Sequence, residues 1–137
     1  MPVTPYLFLD GRCEEAIEFY KKSIGAQVQM MMRFKEGPDD HKATPGTENK
    51  IMHACINING APVMLSDGRV ENKPEFKGFA LSLDAKEAAD GERMFKALSD
   101  GGQVQMPLME TFFAKSFGMV ADKFGVGWMI IAGPKNP

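Results

Sequence analysis

The tetrapeptide QVQM occurs twice in this chain, at Gln27–Met30 and at Gln103–Met106, and each copy follows a pair of small residues, Gly25–Ala26 and Gly101–Gly102. The agreement extends beyond those words. Phe19 stands as far ahead of the first copy as Phe95 stands ahead of the second. Gly60–Leu65 (GAPVML) and Gly125–Ile130 (GVGWMI) share glycine, two residues, a large apolar residue, methionine and a large apolar residue. Several matches in the same order imply one structural unit used twice, and a twice-built small domain has few folds open to it.

The unit can be read from periodicity. TPYLFL (Thr4–Leu9) is short, apolar and aromatic and stops at Asp10–Gly11, which reads as a strand ending in a turn. Cys13, Ala16, Ile17, Tyr20 and Ile24 then recur at steps of three and four, the apolar stripe of a helix that Gly25 stops. Ala26–Lys35 reads as a strand, and the polar, turn-rich Glu36–Lys50 as a long loop. Ile51–Ile58 alternates: Met52, Ala54, Ile56 and Ile58 face one way, while Ile51, His53, Cys55 and Asn57 face the other. Asn59–Gly60 is a tight-turn signal, so Ala61–Asp67 is expected to close a hairpin.

The second half repeats that order. Phe79–Asp84 is expected as a strand, and Asp84 with Glu87 forms a D-x-x-E start signal in which the aspartate caps the following helix. Ala88, Met94, Phe95 and Leu98 mark that helix's apolar side, and Gly91 weakens it locally. Strands are expected from QVQM, from FAKSFGMVAD (Phe113–Asp122) and from GVGWMIIAG (Gly125–Gly133). The predicted class is α+β: two βαβββ modules forming a curved mixed sheet around a cavity, with the helices outside. Module one spans 1–70 and module two spans 76–132 of a single domain.

Composition removes several function classes. The net charge of −2 gives no electrostatic reason for nucleic acid or an anionic membrane as partner. No apolar run approaches the ~20 residues a membrane helix needs. The N-terminus shows no signal-peptide pattern, so a cytoplasmic location with Cys13 and Cys55 reduced is expected. Eleven methionines suit both core filling and an adaptable apolar pocket.

The segments TPYLFLDGRCEEAIEFYKKSIG, IMHACININGAPVMLSD and FGMVADKFGVGWMI carry a resemblance over nearly the whole chain. They resemble the vicinal oxygen chelate (glyoxalase/bleomycin-resistance/dioxygenase) superfamily, and within it the PhnB-like group often labelled a 3-demethylubiquinone-9 3-methyltransferase domain. The resemblance implies a homodimer with pockets formed by pairs of modules. It also implies a divalent ion in the metal-dependent members, held by His, Gln and Glu and acting as a Lewis acid. Carried onto this sequence, those positions fall among Val3, Thr4 and Pro5, at Met64, at about Gly78 and at about Met129. Thioethers are poor ligands for Mg, Mn, Zn or Ni, so no metal and no other cofactor is expected.

Other constellations are thin. His53 and Cys55 project from one strand face, where a Cys–His pair can activate a thiol, though neighbours two apart on a strand lie too far apart for a direct bond and a cavity-lining or interface polar pair without chemistry is the preferred reading. His41 with Asp39 and Asp40 reads as solvated loop. Asp67, Glu110 and Asp122 sit near strand ends, where turn or cap roles are the default. Of Phe112 and Phe113, one is expected to enter the pocket and the other the core, and Trp128 is expected in the core. LDGRC and LDAKE are not the glycine-rich loop of an S-adenosylmethionine site, which argues against methyl transfer. The expected function is binding of a small, partly apolar molecule, with His53, Cys55, Met64, Phe112, Phe113 and Met129 lining the pocket. The alternatives are an isomerase, lyase or thiol-conjugating enzyme using His53/Cys55 or a recruited metal, and a drug-sequestering binder.

Overall fold

The computed structural model describes residues 3–37, 45–68 and 74–135; the DDH run at Asp39–His41 and the middle of the expected loop lie outside them. The chain divides into two compact units, Met1–Pro74 and Glu75–Pro137.

The first unit runs β1 (Tyr6–Phe8), α1 (Cys13–Ile24), β2 (Gln27–Arg33), β3 (Ile51–Ile58) and β4 (Ala61–Ser66). Its four strands form one mixed sheet in the order β1-β4-β3-β2, with β1 parallel to β4 and the other pairs antiparallel. The second runs β5 (Leu81–Ala85), α2 (Ala88–Ser99), β6 (Gln103–Met109), β7 (Ala114–Ala121) and β8 (Gly127–Pro134), again one mixed sheet in the order β5-β8-β7-β6. Element order and strand order are the same in both, and neither sheet closes into a barrel.

In the first unit the predicted stripe becomes a core. Cys13, Ala16, Ile17, Tyr20 and Ile24 are all buried on α1, and so are Leu7, Ala54, Ile56 and Leu65 on the strands. Fully burying each of the larger side chains contributes about 1.5–3 kcal/mol. The helix stops where Gly25 takes a left-handed φ of 71° and donates its N–H to the Tyr20 carbonyl. Its start is secured from a distance. The buried carboxylate of Asp67, just past β4, accepts from the Cys13 N–H and the Ile51 N–H, each at 2.8 Å. One side chain thus satisfies an orphan amide of the first helical turn and holds the head of β3.

In the second unit α2 lies close on β7 and β8, and glycines make that possible. A Cβ on Gly91 would meet the Ala132 Cβ at 2.6 Å, and one on Gly118 would meet the Phe95 ring at 2.8 Å. Gly91 therefore serves packing against β8, beyond the local weakening read from sequence. Trp128 is 2% exposed and donates its indole N–H to Asp122, whose other oxygen accepts from the Phe124 and Val126 N–H groups.

Several boundaries differ from the sequence reading. β2 ends at Arg33 rather than Lys35, because Phe34–Glu36 turn into a 3₁₀ segment and Arg33 N–H bonds the Glu36 carboxylate. Asp84 is not a helix cap. It pairs in β5 with Ile131, parallel pairing carries the strand on to Ala85, and Glu87 occupies the N-cap without a side-chain cap bond. Phe113 is not in β7 either. The Thr111 hydroxyl accepts from the Ala114 N–H at 3.1 Å and folds Phe112–Phe113 into the tip of a turn.

Candidate functional site

The repeated tetrapeptide builds the same backbone device in both units. Val28 pairs with Ile56 and Met30 with Cys55, which leaves Gln29 as an extra residue in the ladder. Val104 pairs with Val120 and Met106 with Met119, which leaves Gln105 in the same position. Each is a β-bulge, one extra residue that bends the strand and re-aims its side chains. Both glutamines turn to the sheet face opposite the helix.

Strand register then defines one row of neighbours on that face in each unit. In the first it runs Tyr6, Met64, Cys55, Met30. In the second it runs Ser82, Met129, Met119, Met106. The scaffolds match while the chemistry differs.

The first unit's face carries polar side chains bonded to one another between its methionines. The Tyr6 hydroxyl lies 2.9 Å from His53 Nδ1, the donor of the pair being set by the imidazole tautomer, and the two rings stack with centroids 5.6 Å apart. Burial raises the Tyr6 phenol above its ordinary value, against a smaller lowering by a bond to Ser66, so it stays protonated at neutral pH. The Cys55 thiol donates to Gln29 Oε1 at 3.6 Å. Cys13, the other thiol, lies fully buried on α1, and burial first, then the charges of Asp67 and Glu14, push it far up from its ordinary value.

The second unit's face holds a groove of about 500 Å³ lined by Phe76, Lys77, Phe79, Gln105, Met119 and Met129, with backbone at Gly78, Gly125 and Gly127. A Cβ at Gly78 would meet nothing within 4 Å, and one at Gly125 only the Phe76 ring, at 3.9 Å. The glycines keep the wall low between aromatic and thioether surfaces.

Met129 lies on this groove, while His53, Cys55 and Met64 lie together on the face of the other unit. Phe112 and Phe113 enter neither the groove nor the core: Phe112 is 90% exposed, and Phe113 stacks edge-on against Phe117 at 5.1 Å. Sequence reasoning missed Gln105, Met119, Phe76, Phe79 and the Tyr6–His53 contact. The QVQM repeat pointed at Gln105 without revealing that a bulge aims it.

Among the described residues no group of three or more His, Cys, Asp or Glu side chains stands close enough to hold a metal ion. The positions onto which the sequence resemblance carries the superfamily's ligands hold a hydrogen at about Gly78, thioethers at Met64 and about Met129, and Val3, Thr4 or Pro5 ahead of β1. That donor set does not fit a hard or borderline divalent ion. No helix among the described residues is long and apolar enough to cross a membrane.

Two mixed βαβββ sheets of this topology define the glyoxalase/bleomycin-resistance class of fold. The chain is similar to a glyoxylase/bleomycin resistance protein/dioxygenase domain from Frankia sp. EAN1pec, at 15% identity and a TM-score of 0.62 over 100% of this chain and 95% of that one. Within that class, residues 1–131 match the family model described as 3-demethylubiquinone-9 3-methyltransferase, and the chain belongs to that PhnB-like family. It is 37% identical to Protein YjdN of Escherichia coli K12 over 100% of this chain and 99% of the relative. A crystal structure of protein PA1353 from Pseudomonas aeruginosa is similar at 38% identity and a TM-score of 0.85, covering 96% and 97% of the two chains. A putative 3-demethylubiquinone-9 3-methyltransferase, PhnB protein, from Bacillus cereus is similar at 27% identity and a TM-score of 0.81, covering 96% and 99%.

Proposed function

We propose that this chain binds a small, partly apolar molecule in the groove of its second unit, as a cytoplasmic homodimer and without the divalent ion of the superfamily's metal-dependent members. The observation that carries the reading is the groove itself. Its roughly 500 Å³ matches the size of small-molecule sites, and its wall is aromatic rings and thioethers with one amide side chain, Gln105, and the Lys77 chain. Methionine side chains adapt to the shape of what they enclose, which suits Met119 and Met129 to this work.

The same geometry argues against a thiol enzyme. His53 engages Tyr6 and Cys55 engages Gln29, so the two are not bonded to each other as nucleophile and base. Methyl transfer, the activity in the family's description, finds no support in the turn between β1 and α1. Asp10 and Gly11 make that turn tight, both with positive φ, and a mixed four-stranded sheet is not a dinucleotide-type cofactor fold. Sequestration without turnover is the form of binding these features favour.

Calorimetry with 2-naphthol as probe tests the reading, beside Met129→Lys, which places a charged chain across the groove floor. Saturable binding to the native protein, lost in Met129→Lys while the fold is kept, is expected. Equal affinity in both, or none in either, overturns it. Light scattering reads the dimer: a monomeric mass at micromolar concentration removes that part.

A further inference from the structure

Resting on that reading, we propose that Gln105 is the specificity-determining residue of the groove, and that the ligand is an apolar molecule carrying a hydroxyl or carbonyl group which this amide reads. The argument comes from the difference between two copies of one tetrapeptide. Gln29 and Gln105 are each the extra residue of an identical bulge, turned to the same face of equivalent sheets. The residue opposite the bulge is Cys55 in one unit and Met119 in the other. A thiol donates, and Cys55 occupies the Gln29 carbonyl at 3.6 Å. A thioether has no proton to give.

Gln105 therefore faces the groove with its carbonyl and both amide protons uncommitted to any side chain among the described residues. Around it stand Met119, Met129, Phe76 and Phe79, none of which offers a strong donor or acceptor. Lys77, the other polar side chain on the wall, is 81% exposed and lies 4.0 Å from Glu75, which makes it a solvated rim charge. An apolar ligand entering the groove covers Gln105 and strips its water. A ligand with a matching polar group replaces those bonds, and one without it leaves the amide unsatisfied. A site of this kind discriminates against the analogue that lacks the group. Because the amide both donates and accepts, hydroxyl and carbonyl are read alike, while a carboxylate gains no counter-charge from it.

The experiment compares 2-naphthol with 2-methylnaphthalene, near-equal in shape and differing in the polar group. Dissociation constants are measured for the native protein, Gln105→Leu and Gln29→Leu. The native protein is expected to prefer 2-naphthol by about 3- to 10-fold, the worth of one net hydrogen bond. Gln105→Leu is expected to abolish that preference by weakening 2-naphthol while 2-methylnaphthalene binds as well or better. Gln29→Leu, the same substitution in the other bulge, is expected to leave the preference intact and controls for effects of removing a bulge glutamine. Both probes binding with a preference that survives Gln105→Leu overturns the role of Gln105 and leaves the groove as a binding site. Neither probe binding overturns the groove reading, and this inference falls with it.

Discussion

Gly91→Ala is a substitution for which helix propensity and packing predict opposite signs. Gly91 is in the first turn and a half of α2 and is buried against β8. By propensity alone, alanine in a helix interior gains about 1 kcal/mol over glycine. The structure says otherwise. The added Cβ would stand 2.6 Å from the Ala132 Cβ, whereas carbon atoms settle at about 3.5–4.0 Å. The helix must retreat by about 1 Å from a strand it otherwise touches along its length, and overpacking of that kind costs about 1–3 kcal/mol. A contact this short, between two short side chains with no rotamer to yield, belongs at the upper end. Setting about 3 against about 1 leaves a net loss of about 2 kcal/mol.

Urea unfolding followed by the fluorescence of Trp128, the chain's single tryptophan, measures that loss on the strand concerned. The cause is tested by a cycle with Ala132→Gly. Once the Ala132 Cβ is gone, the nearest atoms to the new methyl are Ile130 Cγ2 at 3.7 Å and Ala132 Cα at 3.9 Å, ordinary contacts. In that background Gly91→Ala is expected to stabilise, by the propensity gain it could not realise before, giving a coupling of about 2–3 kcal/mol. If Gly91→Ala stabilises the native protein, or if its cost is unchanged in the Ala132→Gly background, the close-approach argument is wrong.

Three further outcomes are expected. Asp67→Ala leaves the buried Cys13 and Ile51 amides without their acceptor and is expected to cost about 2–4 kcal/mol in urea unfolding, with Asp67→Asn losing less; a loss below about 1 kcal/mol would show that water replaces the carboxylate. In thiol titration with a disulfide reagent at pH 8, the native protein is expected to yield Cys55 alone and the urea-unfolded protein both, because Cys13 is fully buried and its ionisation is pushed far up; two thiols reacting at one rate in the native state would refute the burial. Glu14 is held below its ordinary value of 4.5, first by its hydrogen bond from Arg33, so the stability it adds is present above that value and lost as pH falls through the lowered one. The pair is half exposed, so Glu14→Gln is expected to cost under about 1 kcal/mol at pH 7 and nothing at pH 2, read as the difference between the two proteins' unfolding free energies.

What could be read in the sequence was what a period of two or of 3.6 records. All five residues of the α1 stripe are buried, with Ser23 buried beside them outside the apolar pattern, and in β3 Ala54, Ile56 and Ile58 are buried as the alternation requires. The same alternation fails at the head of β3. Ile51 belongs by parity to the open face yet is fully buried, and Met52 is only half-buried. A register shift between Met32 and Arg33 twists the ladder there, and the Asp67 bond draws the Ile51 amide inward. Neither cause has a sequence period. The Asp84 signal failed for a related reason: parallel pairing with β8 outcompeted a local cap. Phe112 and Phe113 failed through the Thr111 turn, where a side-chain hydrogen bond overrode two strand-forming residues.

The bulge is the instructive case, because QVQM was visible as a repeat and opaque as a device. Nothing in four residues says that the third will be extruded; that depends on the partner strand, which offers one residue where the bulged strand supplies two. Once the bulge is known, the two copies explain each other. The backbone geometry is common to both units, and the divergence lies on the open face: Tyr6, His53 and Cys55 in one, Ser82, Phe117 and Met119 in the other. In the first unit Tyr6 is engaged with His53 and Cys55 with the Gln29 carbonyl on their own sheet, so a ligand laid there would have to break Tyr6–His53 or Cys55–Gln29 contacts to be recognised by them. In the second the groove wall is mainly thioether and aromatic, and Gln105 has no side-chain partner among the described residues. On the proposed reading, a duplicated scaffold that engages Tyr6, His53 and Cys55 in one copy and leaves Gln105 open in the other recognises its ligand with the second, and that asymmetry is why the groove there, and not the more chemically suggestive His53 and Cys55, is the site to test.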